Sequence, residues 1–144
     1  MQHIVKNCIF CQIAAGEVPA SIVFEDEQTL TFLDHRPVFP GHCLLIPRQH
    51  FDSLVDVPPT LLSQLSANAR LLAIAVEQGL GAQGAFVAIN NRVSQSVPHV
   101  HVHVVPRTKG DGLKGFFWPR HKYRDMEHLE EVRGSLARAL KNRT

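Results

Sequence analysis

Three histidines alternate with valines in His99-Val100-His101-Val102-His103-Val104-Val105, and that run leaves the backbone little choice. On a strand, successive side chains point to opposite faces, so the imidazoles line one face and the valines the other. On a helix, steps of two residues turn by roughly 200° and scatter the rings around the axis. The β-branched valines favour the strand as well. The run therefore predicts a strand over residues 98–105, its valines in a core and its rings in a row on the opposite surface. Imidazole is neutral at pH 7, nucleophilic and able to shuttle protons. A ring that becomes cationic stabilises phosphate oxygens. A three-histidine metal site is a competing use, although neighbours on one strand face stand roughly 7 Å apart at the backbone. A polar outer face of an edge strand is the plain alternative.

The rest of the chain supplies a frame for such a strand. Residues 21–25 and 29–34 read as a hairpin around the polar turn Asp26-Glu27-Gln28. Residues 42–46 form a third, apolar strand that Pro47 stops, and residues 85–89 a fourth. Over residues 58–79 the positions Leu61, Leu62, Leu65, Ala69, Leu72, Ala73 and Val76 make a helical stripe. Asp56 is placed to cap that helix, with Pro58 and Pro59 in its first turn and Gly79 and Gly81 at its end. A last amphipathic helix, about residues 125–141, presents Met126, Leu129, Val132, Leu136 and Leu140. The expectation is an α+β fold with a mainly antiparallel five-stranded sheet, one long helix and a C-terminal helix. A length of 144 residues suits one domain, residues 1–144, with its core over about 7–107 and a basic loop and helix over 108–144.

Composition removes several classes of function. A net charge of +2 is too small for nucleic-acid binding by bulk electrostatics. No segment is apolar enough to span a membrane and the N-terminus lacks an export signal, so a cytoplasmic location is the default expectation. Cys8 and Cys11 have the spacing that lets two thiolates grip one metal. Two free thiols or a redox pair are the alternatives, the latter needing a thioredoxin-like setting that this N-terminus does not resemble. Cys43, inside an apolar strand, reads as a small buried hydrophobe. Residues 107–124 carry Arg107, Lys109, Lys114, Arg120, Lys122 and Arg124 against Asp111 alone, with Phe116, Phe117 and Trp118 among them. Such a segment suits a polyphosphate tail, a second base or a partner subunit, or is simply a solvated basic loop.

The pattern from His99 to Val105 resembles the signature of the histidine triad (HIT) family of nucleotidyl hydrolases and transferases. The resemblance extends to Cys8-Ile9-Phe10-Cys11, Phe24-Glu25-Asp26, Phe32-Leu33-Asp34, Gly41-His42, Ile46-Pro47-Arg48-Gln49-His50 and Gln95-Ser96-Val97, in the expected order over about residues 7–107. It implies that His101 attacks an α-phosphorus to form a nucleotidyl-histidine intermediate, which water hydrolyses to a nucleoside monophosphate. His103 and Ser96 would join it as catalytic residues, His103 and Ser96 at the phosphate, with Gln95 and Asn90 also at the nucleotide. Asp34 would hold the ribose hydroxyls, and Phe10 and Phe32 would flank the base, although both also read as ordinary core aromatics. Ser94 stands where the family usually has glycine, and the loop 91–94 is about two residues short. The resemblance further implies a structural zinc held by Cys8, Cys11, His50 and His99, no catalytic metal, and a homodimer across a two-fold axis. The implied substrates are purine nucleotide conjugates, either phosphoramidates or dinucleoside polyphosphates; the basic aromatic segment favours the latter, and a phosphorylase variant stays open. The rival from a different class is a slow or inactive nucleotide-binding regulatory or scaffold protein. A metal-dependent hydrolase that uses all three triad histidines is the other rival.

Overall fold

The computed structural model describes residues 5–114 and 119–142. The aromatic stretch Phe116, Phe117 and Trp118 lies outside the described residues, as does the start of the N-terminus read above for an export signal. Contacts divide the chain into two compact units, Met1–Asp111 and Gly112–Thr144.

The first unit holds the sheet. Strands β1 (Ile22–Glu25), β2 (Thr29–Leu33), β3 (Cys43–Pro47), β4 (Gly84–Ala88) and β5 (Val102–Arg107) run in the order β1-β2-β3-β5-β4, every neighbouring pair antiparallel. The β1–β2 turn forms because Asp26 Oδ1 accepts from the amides of Gln28 and Thr29 and from the Thr29 hydroxyl. Helix α2 (Pro59–Leu80) covers one face, and its buried stripe of Leu61, Leu65, Ala69, Leu72 and Val76 packs on Cys43, Leu45, Val100, Val102 and Val104. Each fully buried leucine or valine there contributes about 1.5–3 kcal/mol. Gly81 closes the helix at φ 71°, a conformation that costs glycine nothing. Helix α2 starts at Pro59 with Pro58 as its cap, so Asp56 does not cap it; Asp56 instead pairs with Ser53 in a capping box around the short 3₁₀ turn Leu54–Asp56.

Asn68 breaks the apolar stripe of α2 and is buried. Its amide donates to Asp26 Oδ2 at 2.7 Å and to the Thr29 hydroxyl at 2.8 Å, which fastens α2 to the first hairpin. Gly41, at φ 99°, introduces β3, and a Cβ at this position would collide with the Leu80 side chain.

The opposite face of the sheet is covered by helix α1 (Ile9–Ala14), an element the sequence patterning does not announce. Cys8, Phe10 and Cys11 pack there on Leu30, Phe32, Leu44 and Ile46. The expected row of exposed rings is therefore corrected: His99 and His101 are only 0% and 4% exposed, because α1 lies where open solvent was expected. The edge-strand alternative is also removed, since β5 lies between β3 and β4. β5 is shorter than expected at its start. Over residues 98–101 the chain bends, with the Val100 amide bonded to Phe51 O and the His99 amide to Val97 O. The alternation of faces survives the bend, valines toward α2 and histidines toward α1.

The second unit contains α3 (Met126–Lys141), capped by Asp125, whose side chain accepts from the His128 amide at 2.8 Å. Met126, Leu129, Leu136 and Leu140 on it are exposed.

Candidate active site and metal centre

The three triad histidines face one way but sit in three different hydrogen-bonding settings. His99 Nδ1 lies 3.4 Å from Cys8 Sγ and 3.5 Å from Cys11 Sγ, and His50 Nδ1 lies 3.3 Å from Cys11 Sγ. One ligand atom from each of Cys8, Cys11, His50 and His99 falls within 4.8 Å of the others, and all four residues are buried. A tetrahedral zinc, with bonds of about 2.3 Å to sulfur and 2.0 Å to nitrogen, requires sulfur–nitrogen edges of about 3.5 Å. The set fits that ion.

The outer contacts orient both rings for it. His50 Nε2–H donates to Asp52 Oδ1 at 2.6 Å, and His99 Nε2–H donates to the Pro47 carbonyl at 2.8 Å, leaving both Nδ1 lone pairs for a cation. Burial pushes His99 down to about 4, so the ring is neutral at pH 7, as a ligand must be. Burial raises the Cys11 thiol, and a divalent ion reverses that by stabilising the thiolate. The Cys8–Cys11 pair and its two distant histidines thus form a structural metal centre that anchors α1 to the sheet. Among the described residues this is the one group arranged to hold a metal, and neither His101 nor His103 belongs to it.

His101 has the opposite tautomer. Its Nδ1–H donates to the His99 carbonyl at 2.8 Å, so the lone pair sits on Nε2. Burial lowers its proton affinity, which keeps the ring neutral and nucleophilic at pH 7. Phe10 stands edge-on to it with ring centroids 5.1 Å apart, and Phe32 stands edge-on to Phe10 at 5.4 Å. Both phenylalanines are buried core residues as well as walls of this site.

His103 is set by a relay. The Val38 amide donates to His42 Nδ1 at 3.1 Å, so His42 carries its proton on Nε2 and donates it to His103 Nδ1 at 2.9 Å. His103 must then hold its own proton on Nε2, a buried donor with no partner among the described residues. Burial, with the neighbouring His101 and His42 adding to it, pushes His103 down to about 4. An unpaired buried donor costs about 1–3 kcal/mol, which an acceptor at His103 Nε2 would recover. His103 lies 4.9 Å from His101, ring to ring.

Asp34 closes the same end. Its Oδ2 lies 3.8 Å from His42 Nδ1, and with Phe32, Ile13 and Ala20 it lines a cleft of about 520 Å³, within the range of a small-ligand site. Ser96 opens on a different cleft of about 590 Å³, shared with Cys8, His50, Asp52 and Val97. Asn90 is exposed just past β4. Gln95 spends its amide on backbone: Oε1 accepts from the Arg92 amide at 2.8 Å, and Nε2 donates to Asp52 O at 2.6 Å and Val97 O at 3.0 Å. Ser94 adopts φ 60° and Arg92 φ 72°, left-handed conformations that cost a side-chain-bearing residue about 1 kcal/mol or more. The glycine usual at position 94 would adopt this backbone without that cost.

Two residues that contact the candidate site escape sequence reasoning. His42 appeared only as a landmark beside Gly41, and its partner lies 61 residues away. Asp52 carried one available signal, a carboxylate two residues beyond a candidate ligand histidine.

Comparison with known proteins bears on this geometry. A family model described as HIT domain matches residues 15–110. The chain is 37% identical over 143 residues to Protein hit of Bacillus subtilis (strain 168), covering 96% of this chain and 97% of that protein. It is 32% identical over 110 residues to adenylylsulfatase HINT3 of Arabidopsis thaliana, covering 75% of this chain and 56% of the relative. Among solved structures, a zinc-bound histidine triad family protein from Mycobacterium smegmatis superposes with TM-score 0.72 at 37% identity, covering 95% and 98% of the two chains.

Proposed function

The chain belongs to the histidine triad family, and from that premise we propose that it cleaves purine nucleotide conjugates at the α-phosphate through a nucleotidyl-histidine intermediate. The observation that carries the reading is the placement of protons along the triad. His101 offers a lone pair on Nε2, while His103 beside it offers a buried N–H that lacks an acceptor. A nucleophile next to an unfilled donor is what displacement at phosphorus requires.

In the first step His101 Nε2 bonds to the α-phosphorus as the phosphorus–oxygen or phosphorus–nitrogen bond to the leaving group breaks. The departing group takes the electron pair and, where it is an amine, a proton from solvent, which the water of the second step returns. The imidazole acquires positive charge, which the His99 carbonyl at Nδ1–H stabilises. In the second step water attacks phosphorus, its oxygen bonding as the bond to Nε2 breaks, and a nucleoside monophosphate leaves. His103 Nε2–H holds a non-bridging oxygen through both steps, Asp34 takes the ribose hydroxyls, and Ser96 and Asn90 meet the phosphate end. None of these steps draws on the metal centre, which supplies rigidity. Phosphate in place of water in the second step gives the phosphorylase variant.

One relative is named an adenylylsulfatase; a sulfate leaving group also sits on an α-phosphorus, which agrees with a site that reads the nucleotide more than the leaving group. A homodimer completes the reading, supported by the position of β4 at the end of the sheet among the described residues and by the exposed Leu71 and Val87 on α2 and β4; a place in the cytoplasm is part of the same proposal.

The test incubates the protein, with and without EDTA, with adenosine 5′-phosphoramidate and with diadenosine tetraphosphate, and quantifies AMP. Release from either, lost in His101→Ala, supports the covalent route, and the faster compound defines the substrate class. No AMP from either, or equal turnover by the variant, removes the mechanism and favours a nucleotide-binding regulatory protein. Release abolished by EDTA while the Cys8–Cys11 centre keeps its zinc and the fold is unchanged favours a metal-dependent hydrolase.

A further inference from the structure

The loop of residues 92–97 is held between two ligands of the metal centre. At one side His50, a ligand through Nδ1, donates Nε2–H to the Asp52 carboxylate, and the Asp52 carbonyl receives the Gln95 amide at 2.6 Å. At the other side Val97 O receives both the Gln95 amide at 3.0 Å and the amide of His99, the other histidine ligand, at 2.8 Å. Gln95 also ties down the Arg92 amide. It is therefore joined to both flanks of the metal centre and to the left-handed residues of the loop that carries Ser96. Such a conformation persists only where its surroundings over-determine it. Both Nε2 hydrogens of Gln95 are committed to carbonyls, so the side chain has no donor left for a phosphate.

We propose that Gln95 is a positioning residue that couples the metal centre to the loop carrying Ser96, so that zinc and nucleotide each tighten the other's binding. An ion that fixes His50 and His99 fixes Asp52 and Val97, hence Gln95, hence the loop. A nucleotide that settles on the loop works the same connections backwards, because coupling between two sites is reciprocal. The nucleotide half of this inference rests on the proposed function; the zinc half does not.

The experiment measures the zinc affinity of the full chain by competition with a chromogenic chelator, with and without saturating AMP. Wild type is compared with Gln95→Ala and Gln95→Glu; the latter keeps the acceptor for the Arg92 amide and loses both donors. We expect AMP to tighten zinc about tenfold in the wild type and less than about twofold in either variant. Without AMP, both variants should bind zinc about five- to tenfold more weakly. Undiminished AMP-dependent tightening in a folded variant overturns the proposal. So does an equal loss of AMP affinity in zinc-loaded and zinc-stripped Gln95→Ala, which would mark direct nucleotide contact. If AMP fails to bind even the wild type, the nucleotide reading falls and the zinc-only comparison decides: unchanged affinity in both variants overturns the link to the metal.

Discussion

Lowering the pH should destabilise this protein through His103, by an amount that follows from its burial. Its imidazole is held at about 4 in the folded chain, against 6.5 in an exposed ring. As the pH falls through 6.5, the unfolded chain binds a proton that the folded chain refuses. Stability from this group is thus complete above 6.5 and drains away as the pH drops towards 4. Integrated between pH 7.5 and pH 5, that difference costs about 2 kcal/mol. Urea unfolding of the zinc-loaded protein at the two pH values measures the loss, and His103→Gln serves as a comparison that cannot titrate. Protonation of the metal ligands is common to both proteins and cancels in the comparison. The wild type should lose about 1 M more in its urea midpoint than the variant. Equal losses would refute the reasoning, since they would mean that His103 accepts a proton inside the fold and that the His42 donor does not hold its tautomer.

Other perturbations test the remaining parts of the site. Stripping zinc with a chelator should lower Tm by about 10 °C, for an ion present at about a hundred times its Kd; an unchanged Tm would mean the Cys8–Cys11 centre does not brace the fold. Ser94→Gly relieves a left-handed side chain at the cost of some unfolded-state entropy, for a net gain of up to about 1 kcal/mol; a fall in Tm would show that the Ser94 side chain contributes something the backbone argument omits. His42→Ala should reduce AMP release about a hundredfold, because it frees the His103 proton from Nε2, and should also cost about 1–3 kcal/mol of stability, because a buried ring with bonds to the Val38 amide and to His103 is removed; turnover within twofold of wild type would remove the relay from the mechanism.

How much of this was readable beforehand depends on the distance over which each feature is encoded. The alternation of His99, His101 and His103 needs only the two-residue period of a strand, so the shared ring face and the valine core were legible locally. The Asp26 turn, the stripe of α2 and the cap at Asp125 are likewise set by neighbours a few positions apart. The resemblance to the family pattern then pointed to the ligand quartet Cys8, Cys11, His50 and His99, which the structure brings together, and to His101 as the proposed nucleophile. Local pattern failed where an apolar or polar surface needs a distant partner. Six residues of α1 are too few to show a helical period, yet they help bury His99 and His101. Asn68 carries no local signal of its role, because its partners Asp26 and Thr29 lie 42 and 39 residues away.

The division is therefore one of chemistry against protonation. The amino-acid sequence by itself determines which groups are present and, through strand alternation, that the three imidazoles share a face. Only the tertiary structure decides which nitrogen of each ring carries the proton, because His99, His101 and His103 are assigned by the Pro47 carbonyl, the His99 carbonyl and His42. A ring's tautomer is set by whatever hydrogen-bonds to its other nitrogen. Two of those partners, Pro47 and His42, lie more than fifty residues from the rings they set and arrive only when β3 pairs with β5.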